Sequence, residues 1–142
     1  MDEELRLGYE VRTLNNLIVR KMEASAKGQR SEDVTVMNTW IIGFLYANQD
    51  RDVFQRDVEA EFFITRSTAT SILKLMVKKG YLTRVPVSYD DRLKKLCLTE
   101  KAYELHQQAL QNIQKVEKMM RDSISDEELA VFLGVVQKLK KM

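Results

Sequence analysis

Apolar residues recur at helical spacing along most of the chain. Leu7, Val11, Leu14, Ile18 and Met22 are spaced by four, three, four and four, which is one stripe of a long first helix. Gly28 and the polar run Gln29 to Asp33 end it. Val34, Met37, Trp40, Ile41, Phe44 and Leu45 predict a second, strongly apolar helix, broken by Asn48 to Arg51. Trp40, Phe44, Tyr46 and Met37, with Tyr9 on the first helix, lie at helical spacing and read as core. Asp52 and Gln55 have capping-box spacing and open a short third helix that buries Val58 and Phe62. After a connection over Phe62 to Thr65, Thr65 caps a fourth helix. Its core face is Ala69, Ile72, Leu73, Met76 and Val77, and Lys78, Lys79 and Gly80 close it.

The period then changes. Tyr81 to Val87 is rich in β-branched and aromatic residues and predicts a strand, with Pro86 near its end or on an edge. Ser88 to Arg92 reads as a polar turn, and Lys94 to Leu98 as a short return strand. Helix resumes after Thr99 with the stripe Ala102, Leu105, Ala109, Ile113, Val116 and Met120. Ser125 and Glu128 form a capping box, with Ile124 and Leu129 as its hydrophobic staple. The last helix carries Leu129, Phe132, Leu133, Val136 and Leu139.

Composition narrows the function classes. The 142 residues include one cysteine and one histidine, which excludes a disulfide framework and leaves a multi-histidine metal site without ligands. The longest apolar run, Trp40 to Ala47, is far short of the ~20 residues of a membrane span. The acidic start Met1-Asp2-Glu3-Glu4 is not a secretory signal, so a cytoplasmic protein is expected. No nucleophile elbow, phosphate-binding loop or dinucleotide signature is present, so no enzyme activity, cofactor or metal is expected.

Net charge is +2, but residues 64–101 hold nine basic and three acidic groups, a local excess of +6. That concentration is the footprint of a polyanion partner. It coincides with two short helices joined by a tight turn and followed by a basic hairpin. This order describes a mainly α winged helix-turn-helix, whose second helix enters the DNA major groove. Stepping 100° per residue from a buried Leu73 points Ser67, Thr68, Ser71, Lys74 and Lys78 outward, with Thr70 flanking them. No acidic residue lies between Arg66 and Lys79. Hydroxyls and cations suit bases and phosphates. The expected major-groove residues are Arg66, Ser67, Thr68, Thr70, Ser71 and Lys74. Lys94 and Lys95 are expected phosphate contacts, and Gln55 and Arg56 are placed to reach the backbone.

Thr65-Arg66-Ser67-Thr68-Ala69-Thr70, Lys78-Lys79-Gly80-Tyr81-Leu82, Asp90-Asp91-Arg92-Leu93-Lys94-Lys95 and Leu98-Thr99-Glu100-Lys101 together resemble the MarR (multiple antibiotic resistance regulator) family. The sequence departs from the family pattern at Glu59, Phe63 and Asp91. The resemblance implies one unit over residues 1–142, with the winged region at 34–99 and dimerisation helices at 1–28 and 100–142. It further implies a homodimer that binds a palindromic operator, acts as a repressor and is released by a small-molecule effector, whose binding residues are not assigned. Arg92 then enters the minor groove and Asp90 holds it. Two other readings are a winged helix used for protein–protein contact, and a redox-sensing regulator using Cys97.

Overall fold

The computed structural model describes residues 2–26 and 34–142. The chain forms two compact units, residues 28–109 and residues 1–27 with 110–142. The elements are α1 (Arg6–Ala26), α2 (Val36–Ala47), α3 (Gln55–Phe62), α4 (Arg66–Lys78), β1 (Leu82–Val87), β2 (Asp90–Leu98), α5 (Glu100–Asp122) and α6 (Asp126–Lys140), with a single 3₁₀ turn at Glu3–Leu5 before α1. The architecture is the expected one, mainly helical with a two-stranded antiparallel hairpin. Residues 28–33, read as the end of the first helix, lie outside the described residues, apart from the boundary itself: α1 reaches Ala26.

In the 28–109 unit, Ile41, Ile42, Val58, Leu73, Met76 and Ala102 are fully buried, and Val34, Leu45, Val53, Tyr81, Leu82, Leu96 and Leu105 join them in the core. Each such Val, Leu, Ile or Met contributes about 1.5–3 kcal/mol by leaving water. Ala102 and Leu105 belong to this core, so the compact unit takes in the first part of α5.

Local chemistry sets the boundaries. Helix α2 begins after Val34, because Thr35 and Asn38 form a capping box that fixes its first turn. Helix α3 is not capped by Asp52. Phe54 stands at the N-cap without a side-chain cap bond, and Asp57 Oδ2 accepts the Phe54 N–H at 2.8 Å. Phe63 ends α3 in the left-handed region at φ 53°. Helix α4 ends in a Schellman motif: the Gly80 N–H donates to Val77 O and the Tyr81 N–H to Met76 O, both at 3.0 Å. Gly80 adopts φ 86°, which only glycine adopts without strain. This is why the strand starts at Leu82 rather than Tyr81. Thr99 and Lys101 then fasten α5 to the same corner. The Thr99 hydroxyl donates to Gly80 O at 2.6 Å, and Lys101 Nζ donates to Lys79 O at 2.8 Å while lying 4.5 Å above the Tyr81 ring.

The hairpin differs from its expected shape. The turn is the two residues Ser88 and Tyr89, and Asp90 to Leu93 already belong to β2. Val87 pairs with Asp90 and Pro86 with Lys94, so Asp91, Arg92 and Leu93 bulge out of the ladder. Three residues read as core are exposed instead: Tyr9, Trp40 and Tyr46. Helical spacing puts them on an apolar stripe, but that stripe is wider than the surface covering it in the single chain. Phe44 and Met37 pack on the core's margin.

The other unit is different in character. Met22 and Ala26 of α1 and Val116 of α5 are buried, whereas α6 has no buried residue. Leu7, Val11, Leu14 and Leu17 on α1 and Val131, Phe132, Leu133 and Val135 on α6 are exposed. The Ser125–Glu128 capping box forms as expected.

Candidate nucleic-acid interface

Helix α4 is held at its start by hydroxyls. Thr65 Oγ1 accepts the Thr68 N–H at 3.2 Å and donates to the Thr68 hydroxyl at 3.0 Å. Gln55, at the head of α3, donates to Thr70 Oγ1 at 2.9 Å, and Thr70 donates to Arg66 O at 2.8 Å. Gln55 and Thr70 thus tie α3 to the first turn of α4. Arg66, Ser67, Thr68, Thr70, Ser71, Lys74 and Lys78 are all exposed, while Ala69, Leu73 and Met76 are buried. Nothing acidic on the helix opposes an incoming phosphate.

On the wing, Arg92 is held by a neighbouring carboxylate. Asp90 Oδ1 accepts the Arg92 backbone N–H at 2.9 Å and its Nε at 3.2 Å, and Oδ2 accepts Nη2 at 3.1 Å. The Arg92 side chain is nevertheless 86% exposed, against 23% for Asp90. The carboxylate therefore orients a guanidinium that still faces solvent. Hydrogen bonds from Arg92 lower the Asp90 pKa, and the same pairing raises that of Arg92. Because the folded-state value lies below the ordinary 3.8, the pairing contributes fully above that pH and is lost as pH falls through the lower value. A carbon-detected NMR titration is expected to show the Asp90 carboxyl turning over below 3.8 in wild type, and moving up toward 3.8 in Arg92→Ala. An unchanged midpoint in the variant would contradict the pairing.

Between α3, α4 and the wing lies an open cleft of about 510 Å³ lined by Arg56, Arg66, Arg84, Arg92 and Lys94, with Glu59 the acidic group among its lining residues. The Arg56 guanidinium sits 5.1 Å over the Phe54 ring. Arg84 joins the cleft without a motif to mark it. Its signal is positional: it lies two residues after the buried Leu82 on β1, so a cation stands in the row that begins in the core. Lys95 is half-buried and its ammonium lies 3.5 Å from Asp52 Oδ1.

Elsewhere, Cys97 is a half-buried free thiol on β2. His106 stacks on Tyr46 at 4.2 Å, and burial pushes its pKa below the ordinary 6.5. Among the described residues, no group of three or more His, Cys, Asp or Glu side chains is placed to hold a metal, and no helix is long and apolar enough to cross a membrane.

A hydroxyl- and lysine-faced helix, braced by a preceding short helix and followed by an arginine-tipped hairpin, defines a winged helix-turn-helix. A family model described as the MarR family matches residues 32–93. The transcription regulator MarR from Oenococcus oeni PSU-1 is 30% identical over 96% of this chain and 99% of that chain, with a TM-score of 0.78. The chain belongs to the MarR family of transcription regulators. MepR from S. aureus, in a DNA complex, shares the fold at 21% identity and a TM-score of 0.83, over 94% of this chain and 95% of that chain. FabT from Streptococcus pneumoniae, also in complex with DNA, shares it at 24% identity and 0.74, over 98% and 96%. No curated protein sequence matches.

Proposed function

We propose that this protein is a sequence-specific DNA-binding repressor that acts as a homodimer on a palindromic operator and is released by a small-molecule effector. The observation that carries the DNA reading is the cleft whose five cations come from α3, α4 and both strands of the wing. Such a cleft fits a sugar–phosphate backbone passing between a helix in the major groove and a wing in the minor groove. MepR and FabT, which share the fold, were both captured on DNA. Arg66, Ser67, Thr68, Thr70, Ser71 and Lys74 face the major groove in this reading. Gln55 and Thr70 chiefly hold α4 in place, since their polar atoms are bonded to each other. Arg92, held by Asp90, enters the minor groove, where a narrow groove's negative potential attracts it. Lys94 meets phosphates, joined by Arg56 and Arg84, whereas Lys95, expected from the sequence to do the same, is paired with Asp52 outside the cleft.

The homodimer is supported by the uncovered apolar faces of α1 and α6, which suit burial against a second copy. Two recognition helices one DNA turn apart, about 34–36 Å, require an inverted repeat. The rival reading, a winged helix that docks on protein, calls for an apolar outward face on α4. Among the described residues of α4, Leu75 is the one large apolar side chain that is exposed.

Salt tests the reading directly. The affinity for duplex DNA is expected to fall linearly on a log–log plot against salt, by about 0.9 in slope for each phosphate neutralised. Arg84→Ala is expected to make that slope shallower by about 1.8 for the homodimer, about 0.9 for each of its two copies. A flat response, or an Arg84 variant with the wild-type slope, would contradict the cleft as the phosphate path.

A further inference from the structure

Asp52 lies between α2 and α3, and its sequence spacing suggests a helix cap. The N-cap is instead Phe54, whose N–H donates to Asp57, and the Asp52 carboxylate is left for other partners. It touches the wing twice. The Tyr89 hydroxyl donates to Asp52 Oδ2 at 2.9 Å, and Lys95 Nζ lies 3.5 Å from Oδ1. Tyr89 is half of the two-residue turn, and Lys95 lies in β2 beyond the bulge. The next residues along add a backbone rung, because the Leu96 N–H donates to Val53 O at 2.8 Å. The Asp52–Val53 segment therefore runs along the edge of β2 and grips the hairpin near its base and at its turn.

A two-stranded hairpin is marginal alone, so its attitude depends on what it is fastened to. Bulged residues Asp91 to Leu93 carry Arg92 on the stretch of β2 between these two grips. We propose that Asp52 is a positioning residue: by holding Tyr89 and Lys95 it sets the angle of the wing, and with it the place where Arg92 meets DNA. This rests on the DNA-binding reading for its consequence, though not for the brace itself. Asp52 does not touch DNA in this account. It spends its two oxygens on the hairpin, and an isolated exposed pair would add little to stability. Its effect is therefore expected in binding geometry rather than in global stability.

The test uses the full chain and three variants: Tyr89→Phe, which removes one hydroxyl, Asp52→Asn, which keeps an acceptor oxygen but removes the charge, and Arg92→Ala as a background. Amide hydrogen exchange of the free protein is read over residues 82–98. The expected result is faster exchange there in both brace variants, with α4 and α5 unchanged. On an inverted-repeat duplex recovered from genomic DNA, Tyr89→Phe is expected to weaken binding about fivefold, the size of one hydrogen bond. In the Arg92→Ala background the same substitution is expected to have almost no effect, because the contact it positions is gone. Unaltered hairpin exchange would overturn the brace. An equal loss in both backgrounds would overturn the positioning of Arg92, because a general structural defect acts additively. Wild-type protein that binds no duplex would reject the DNA reading, while the exchange data still judge the brace.

Discussion

Arg92→Ala is expected to lower operator affinity about 10- to 100-fold for each half-site, the range of one well-placed side-chain contact to DNA. The melting temperature and the oligomeric state are expected to stay the same. The Arg92 side chain is almost wholly exposed and contacts its own neighbour Asp90, so the folded chain loses little without it. What is lost is a fork-shaped cation presented on a three-residue bulge. Arg92→Lys restores the charge but not the planar fork, and its affinity should fall between the two. Fluorescence anisotropy on an operator duplex reads all three proteins. Equal affinities would remove the wing from the interface.

Phe132→Glu is expected to break the proposed homodimer. Phe132 is 49% exposed on α6, a helix with no buried residue, so the single chain does not need it. It lines a mainly apolar groove with Ile124, Val131 and Val135, with Glu127 and Glu128 at its side, on the same helix and the turn before it. If the proposed dimer buries this face, Phe132 is an anchor of it, and replacing it with a carboxylate is expected to raise the dissociation constant on the order of 100-fold or more. Sedimentation velocity should show a monomer at concentrations where wild type is dimeric, with helical content unchanged. Operator binding should fall with it, because a half-site alone gives up the second helix and wing. A variant that stays dimeric would place the interface elsewhere.

The sequence showed most of what local physics decides. On α4, one count of 100° per residue separated Ala69, Leu73 and Met76 from Ser67, Thr68, Ser71 and Lys74, and the burial follows it. The Ser125–Glu128 cap and the Gly80 helix end were legible because each needs a particular residue at a particular offset. Three features were not. The spacing of Asp52 and Gln55 reads as a capping box, yet Phe54, which has no side-chain acceptor, stands at the N-cap with only the return bond to Asp57, and Asp52 bonds a hairpin tyrosine 37 residues away, a contact no local spacing states. The bulge at Asp91 to Leu93 breaks the period of two on which a strand reading depends, so the paired aspartates looked like a turn. Helical stripes on α1 and α6 mark surface to be buried but not the molecule that buries it. The same limit explains Trp40 and Tyr46, which are apolar by position and exposed in the single chain.

The candidate site divides the same way. Exposed hydroxyls and lysines on one helix face, and an aspartate two residues before an arginine, can be read from order alone. That Arg84 joins Arg56 and Lys94 across a cleft depends on how the hairpin lies against α3, which no local pattern states.

The most direct measurement is a pulldown of sheared genomic DNA by the purified protein at moderate salt, read by sequencing. The account predicts enrichment of a few intergenic inverted repeats with half-sites one helical turn apart, and loss of that enrichment with Arg92→Ala. Uniform recovery of all sequences, or no recovery, would contradict a sequence-specific regulator.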